Sequence, residues 1–193
     1  ELGYNYEKQQ QKEQAKFYYE KAINSIKTNT GMGGFIGRLF NDNVLLDYAI
    51  LAYEETMRYN KNANYRIQVA QIYGEKGNFE KMFISYLDLV DKNENYLNSV
   101  QRLTSRYIND DRLNENNILF KKALIKKSVS NPKNVWNVLL SWLFVQQKEY
   151  EKALIQEKAL FHRNPEFIIN ILNLGYNALE NKAYKTAKKS FDF

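Results

Sequence analysis

Apolar and small residues return along this chain at spacings of three, four and seven, the stripe of an amphipathic helix. Leu2, Gly3 and Tyr6 mark one such stripe, and Ala15, Tyr19 and Ala22 mark the next. The pair then recurs. Gly3 is answered by Gly37, Tyr6 by Phe40, Ala15 by Ala49 and Tyr19 by Tyr53. Near the end, Asn134–Phe193 superimposes on itself at an offset of 34, with Leu140 on Leu174, Ser141 on Gly175, Tyr150 on Tyr184 and Ala153 on Ala187. An aromatic column on the first helices, Tyr6, Phe40, Tyr73, Tyr107, Phe144 and finally Ala178, keeps intervals of 34, 33, 34, 37 and 34. Self-similarity at this period predicts an all-α fold, an α-solenoid of helix-turn-helix units. The units fall at roughly 1–28, 29–62, 63–96, 97–133, 134–167 and 168–193, about five and a half to six repeats in one array. Gly3 and Ala15 suit a point where two helices cross closely, and Tyr6 and Tyr19 fill the space beside it.

Two segments interrupt the rhythm, and one glycine turn keeps it. Thr28–Gly34, TNTGMGG, reads as a flexible lead-in to the second unit. A phosphate-binding reading fails there, because Arg38-Leu39 follow Gly37 where a P-loop needs Lys-Ser/Thr, and a dinucleotide fingerprint needs glycine at Ile36. In the third unit Gly77-Asn78 makes the turn, glycine supplying a left-handed conformation. The fourth unit is longer, and its extra residues are expected in the polar stretch Ile108–Asn117. Its second helix lacks the small residue expected at the crossing, with Phe120 or Leu119 there instead.

Composition narrows the class. An aromatic share of 15% marks a folded chain, and only two prolines, Pro132 and Pro165, suit long helices. The absence of cysteine excludes disulfides and thiolate chemistry. No apolar run reaches the roughly 20 residues of a membrane span. The net charge of +6 is interspersed with Glu149, Glu151 and Glu157, which favours a solubilising surface over a nucleic-acid face. His162, the single histidine, stands near a helix end, where it complements the dipole. No triad, zinc set or acid–base pair appears around it, and Asp110-Asp111 read as turn residues, so neither an enzyme nor a cofactor is expected.

The residues Leu2-Gly3, Tyr6, Ala15, Tyr19 and Ala22 resemble the tetratricopeptide repeat pattern. So do Val69-Ala70, Tyr73, Gly77 and Tyr86; Leu140-Ser141, Phe144, Ala153 and Pro165; and Leu174-Gly175, Ala187 and Phe191. The likeness covers essentially the whole chain and is weakest in the second and fourth units. From the third unit onward the chain is also similar to large tetratricopeptide-repeat proteins of Bacteroidetes bacteria. That narrower likeness, with a chain that starts at Glu1, implies a bacterial envelope or periplasmic setting.

The resemblance implies a right-handed superhelix whose first helices line a concave groove for a peptide or helix of a partner protein. Mapped by the family pattern, the groove residues are Arg38 in the second unit, and Asn64, Gln68 and Gln71 in the third. Asn98, Gln101, Arg102 and Ser105 follow in the fourth, then Val138, Trp142, Asn173 and Tyr176 in the last two. Amides can bond a peptide backbone, and an aromatic pair can anchor an apolar side chain. Trp142 and Tyr176 serve equally as packing residues against a neighbouring repeat. The two-repeat carboxylate clamp of chaperone-binding relatives is not supported, because Gln71, Ser105 and Trp142 occupy its asparagine positions. The basic clusters Lys121-Lys122, Lys126-Lys127, Lys185 and Lys188-Lys189 fall on second helices and are expected as a solvated outer surface. Two further readings stand beside the scaffold: a structural spacer in a larger solenoid, and an RNA-binding helical repeat. The last unit stops inside its second helix, so the chain is expected to be an excerpt of a longer array or to associate end to end.

Overall fold

A computed structural model describes all 193 residues and contains twelve α-helices and no strand. They are α1 (Leu2–Lys8), α2 (Lys12–Ser25), α3 (Gly33–Asp42), α4 (Leu46–Tyr59), α5 (Arg66–Glu75), α6 (Phe79–Lys92), α7 (Leu97–Thr104), α8 (Glu115–Ser130), α9 (Asn134–Gln146), α10 (Tyr150–Arg163), α11 (Ile168–Glu180) and α12 (Tyr184–Phe191). The helices pack in consecutive pairs, the hairpin repeat expected from the period. None is long and apolar enough to cross a membrane. Contacts divide the chain into two compact units, Glu1–Ser85 and Tyr86–Phe193.

In the first unit the hairpins close on a ring laid over a glycine. A Cβ added to Gly3 or to Gly37 would stand 2.5 Å from the Cε1 of Tyr19 or of Tyr53. Each tyrosine lies sixteen residues after its glycine, on the partner helix, and is buried. Tyr19 meets Phe40 edge-on at 5.4 Å, while Tyr53 stacks on Tyr65 at 4.9 Å. Burial, with the Glu7 carboxylate accepting the phenol proton, raises the Tyr19 pKa well above the ordinary range. The segment Thr28–Gly34 is not the loose lead-in expected. Thr30–Met32 winds a tight turn into α3, and side chains at Gly33 and Gly34 would collide with Thr56 and Tyr65. Gly33 and Gly34 answer a need for space, whereas Gly31 stands in ordinary contact.

A second device repeats at the hairpin corners. Gln10, Val44, Gly77, Lys148 and Lys182 all take left-handed backbone, with φ of 61°, 60°, 72°, 56° and 61°. The N–H of the residue after each bonds back to the carbonyl of Tyr6, Phe40, Tyr73, Phe144 and Ala178, at 2.8–2.9 Å. This is the six-to-one bond of a Schellman corner. Its acceptors are members of the aromatic column read from the sequence. Only one corner uses glycine.

The fourth hairpin lacks this corner. After α7 a tight turn at Ser105–Tyr107 leads into an open loop, and α8 begins at Glu115, so the added length lies where it was expected. Asn117, wholly buried, gathers the loop: its Nδ2 donates to the carbonyls of Asn109 at 2.8 Å and Asp111 at 2.7 Å. Phe120, one turn after Asn117, is wholly buried, so a large ring stands in α8 where no small residue was expected. In the next hairpin Glu157 takes the aromatic place, buried and accepting from Asn170 Nδ2 at 3.2 Å. Gly175 restores the pattern, 2.8 Å from Phe191 by the same construction.

An ionic knot joins the ends of α6 and α8 to the start of α9. The Asp91 carboxylate accepts from Lys127 Nζ at 2.9 Å, Asn131 Nδ2 at 2.9 Å and Lys133 Nζ at 2.8 Å. The Lys133 hydrogen bond, helped by Lys127, holds the Asp91 pKa down to about 2. Beside the knot, the wholly buried Trp136 donates its indole N–H to the Asn131 carbonyl at 2.8 Å.

Gly37→Ala is expected to destabilise the protein by about 1–2 kcal/mol in urea unfolding, because the buried Tyr53 ring has nowhere to retreat. Val44→Gly should do the opposite, by about 0.5–1 kcal/mol: the valine is 77% exposed, so little packing is lost when a β-branched residue leaves left-handed backbone. Asp91→Asn should cost about 1–2 kcal/mol at neutral pH, discounted for partial exposure. A depressed carboxylate pKa contributes stability that is complete above the unfolded value of about 3.9 and is lost as pH falls. The gap between the two proteins should therefore shrink below pH about 4 and close near pH 2, where Asp91 itself protonates. A gap independent of pH would refute the ionic account.

Candidate functional site

Closing each hairpin consumes one face of its first helix and leaves another free. In the first unit, Gln68 and Gln71 lie one turn apart on α5 and are both exposed. Arg38 is exposed on α3, its guanidinium 5.7 Å from the Phe35 ring centre. Asn64 differs from the expectation. It precedes α5, and its side-chain oxygen accepts from the Arg66 N–H at 3.4 Å and from Arg66 Nη1 at 3.2 Å. It therefore belongs to the turn and not to a first-helix face, because a short amide side chain satisfies nearby backbone first.

In the second unit, Asn98, Gln101 and Arg102 share one face of α7, Asn98 and Arg102 exposed and Gln101 half-buried. Ser105 follows the end of that helix, and its hydroxyl donates to the Arg102 carbonyl at 2.9 Å. Val138 and Trp142 lie one turn apart on α9, both half-buried. Trp142 meets Phe120 of α8 edge-on at 6.1 Å. On α11, Asn173 is exposed and Tyr176 is 55% exposed, with its ring 5.2 Å from Phe191 of α12. Trp142 thus has an interhelical contact on one side, and Tyr176 presents more of its ring to solvent.

The basic clusters are largely engaged in ion pairs. Lys127 joins Asp88 as well as Asp91, so it is part of the knot and not a solvated cation. Lys185 and Lys189 both reach Glu151, at 3.3 and 2.9 Å, and Lys188 pairs with Asp192 at 2.7 Å. Lys121, Lys122 and Lys126 of α8 make no ion pair, and Lys122 and Lys126 are exposed one turn apart. His162 is exposed in the last turn of α10, edge-on to Phe161 at 6.0 Å. No group of three His, Cys, Asp or Glu side chains is arranged to hold a metal.

Two clefts were not legible in the residue pattern. In the first unit an apolar cleft of about 880 Å3 opens beside α1, α2 and α3, walled by Leu2, Tyr4, Tyr18, Phe35 and Ile36. Those residues read as ordinary members of helical stripes, and only the partial exposure of Leu2 and Phe35 would have flagged them. In the second unit a polar cleft of about 490 Å3 lies beside the α9–α10 corner, with Gln147 in its wall.

No curated protein matches this chain. Residues 1–29, the first hairpin, match the family model described as a tetratricopeptide repeat. The first hairpin is thus similar to a tetratricopeptide repeat, and the same period and ring-on-glycine or Schellman construction recur in later hairpins.

Proposed function

We propose that this protein is an interaction scaffold that binds an extended peptide or helix of a partner along the free first-helix faces of α7, α9 and α11. Tetratricopeptide repeats generally mediate protein–protein interaction, and folds of this kind are typically non-enzymatic scaffolds. The observation that carries the reading is the division of labour on these helices. Val100, Leu139, Leu140, Ile171 and Leu174 are consumed by packing, whereas Asn98, Arg102 and Asn173 stay exposed, and Tyr176 touches Phe191 with one edge yet keeps 55% of its surface open. Arg102 and the amides supply directed polar contacts, and Tyr176 supplies an amphipathic ring. In the first unit Arg38, Gln68 and Gln71 offer a second surface of the same chemistry.

The edge-on contact of Trp142 with Phe120 favours a second reading, in which the repeats serve as a spacer and the aromatics as packing. Photo-crosslinking residues placed at Arg102 and Asn173 separate the two, with Lys122 and Lys126 on α8 as controls. A scaffold gives discrete crosslinked partners from the first two positions and none from the controls. Replacing Tyr176 or Arg102 with alanine should then weaken capture of those partners by about fivefold or more, the loss typical of a contact worth more than 1 kcal/mol. Equal crosslinking from all four positions would leave only the spacer.

A further inference from the structure

The second helix of the irregular hairpin carries an apolar ridge that hairpin packing does not use. α8 is the longest helix of the chain, 16 residues, and it turns Asn117, Phe120 and Leu124 into the core. At 3.6 residues per turn, Ile118, Ile125 and Val129 fall within an arc of about 40° on another side of the helix. They are 44%, 48% and 77% exposed. One exposed aliphatic residue needs no account, but three aligned over about 16 Å form a stripe.

Charge frames this ridge. By the same helical geometry Lys121 lies on one flank, and Lys122 and Lys126 lie on the other. Lys127, half a turn away, is taken up by Asp88 and Asp91, and Lys185, Lys188 and Lys189 of α12 are paired as well. The three lysines beside the ridge pair with no carboxylate. Glu115, at the helix start, is the single acid of α8. The face is therefore apolar along its crest and positive along both edges.

We propose that the outer face of α8 docks on an anionic lipid bilayer, the helix lying in the plane of the interface. Ile118, Ile125 and Val129 enter the boundary between head groups and acyl chains, and Lys121, Lys122 and Lys126 meet the acidic head groups. The side chains select this occupant. Lysine lays a long apolar stem along a hydrophobic surface and delivers its ammonium to the head groups, the arrangement of interfacial helices. A protein partner is anchored chiefly on Trp, Tyr or Arg, and lysine is depleted in such interfaces. A nucleic-acid strand stacks its bases on aromatic rings. The exposed residues of α8 include neither an aromatic ring nor an arginine. The hairpin already holds the helix in its bound form, so docking carries no cost of ordering it. This face is separate from those of α7, α9 and α11 and takes no part in the scaffold reading above.

The chain has no cysteine, so one introduced thiol can be labelled cleanly. The test uses the full chain with Val129→Cys carrying a polarity-sensitive fluorophore, and Asn173→Cys with the same label as control. Both are titrated with vesicles of phosphatidylcholine, alone or with phosphatidylglycerol. Vesicles containing phosphatidylglycerol should sediment the protein and shift the label at position 129 to the blue, saturably and more weakly as salt is raised. Phosphatidylcholine alone should do neither, and the label at position 173 should stay unchanged. Lys122→Gln combined with Lys126→Gln should weaken sedimentation about tenfold or more, since each lysine near an anionic surface contributes about fivefold. Unlabelled Val129→Asn should weaken it about threefold. These positions are exposed, so the melting temperature should hold. The assignment is overturned if anionic vesicles leave the label at 129 unmoved, if phosphatidylcholine alone binds as tightly, or if the double lysine variant binds undiminished. It is equally overturned if a polyglutamate peptide or an oligonucleotide shifts that label at lower concentration than the vesicles, which would give the face to another polyanion. Crosslinking from Arg102 and Asn173 is read without vesicles, so its result stands apart from these.

Discussion

The rest of the structure depends on the contact of a flat ring with a position that has almost no side chain. Where Tyr19 covers Gly3, Tyr53 covers Gly37 and Phe191 covers Gly175, two helices approach until backbone and ring touch. The interaction is dispersion and burial, weak per atom and large per ring. In these hairpins it decides which flank of the first helix faces its partner, and therefore which flank remains free. Arg38 on α3 and Asn173 on α11 are exposed on the flank that the seam leaves.

The corners make that seam reproducible. The aromatic column contributes its side chains to packing and its carbonyls to the Schellman bond, so packing and chain reversal are set by the same residue. Four of the five corners place a non-glycine residue in left-handed backbone, Val44 among them, and the closed seam holds it there. Where the device is missing, other physics takes over: Asn117 ties down a longer loop through its buried amide, and Asp91 gathers two lysines and an asparagine. The irregular hairpin is also where Arg112 comes to line a polar cleft.

For the site, legibility followed how local each side chain's environment is. Positions three or four apart on one helix, such as Asn98 with Arg102 or Asn173 with Tyr176, could be placed together from spacing alone. Asn64 could not, because whether a short amide ends on a helix face or in the preceding turn depends on which backbone N–H lies within reach. Lys127 reads as one more surface lysine, and its role in the knot depends on residues 36 and 39 positions away. Gln147, buried with neither side-chain polar atom paired, gives no signal in the sequence at all, since that state is a property of what surrounds it.

The sequence by itself determined the helical class, the period, the hairpin pairing and the places where the rhythm breaks. Those follow from residue spacing and from the steric demands of glycine and aromatic rings, which act over a few turns of helix. Tertiary structure alone decided why Gly33 and Gly34 are glycines, which cations are neutralised, and where clefts open. Burial, ion pairing and empty volume are relations among residues far apart in the chain. They exist only once the helices have packed.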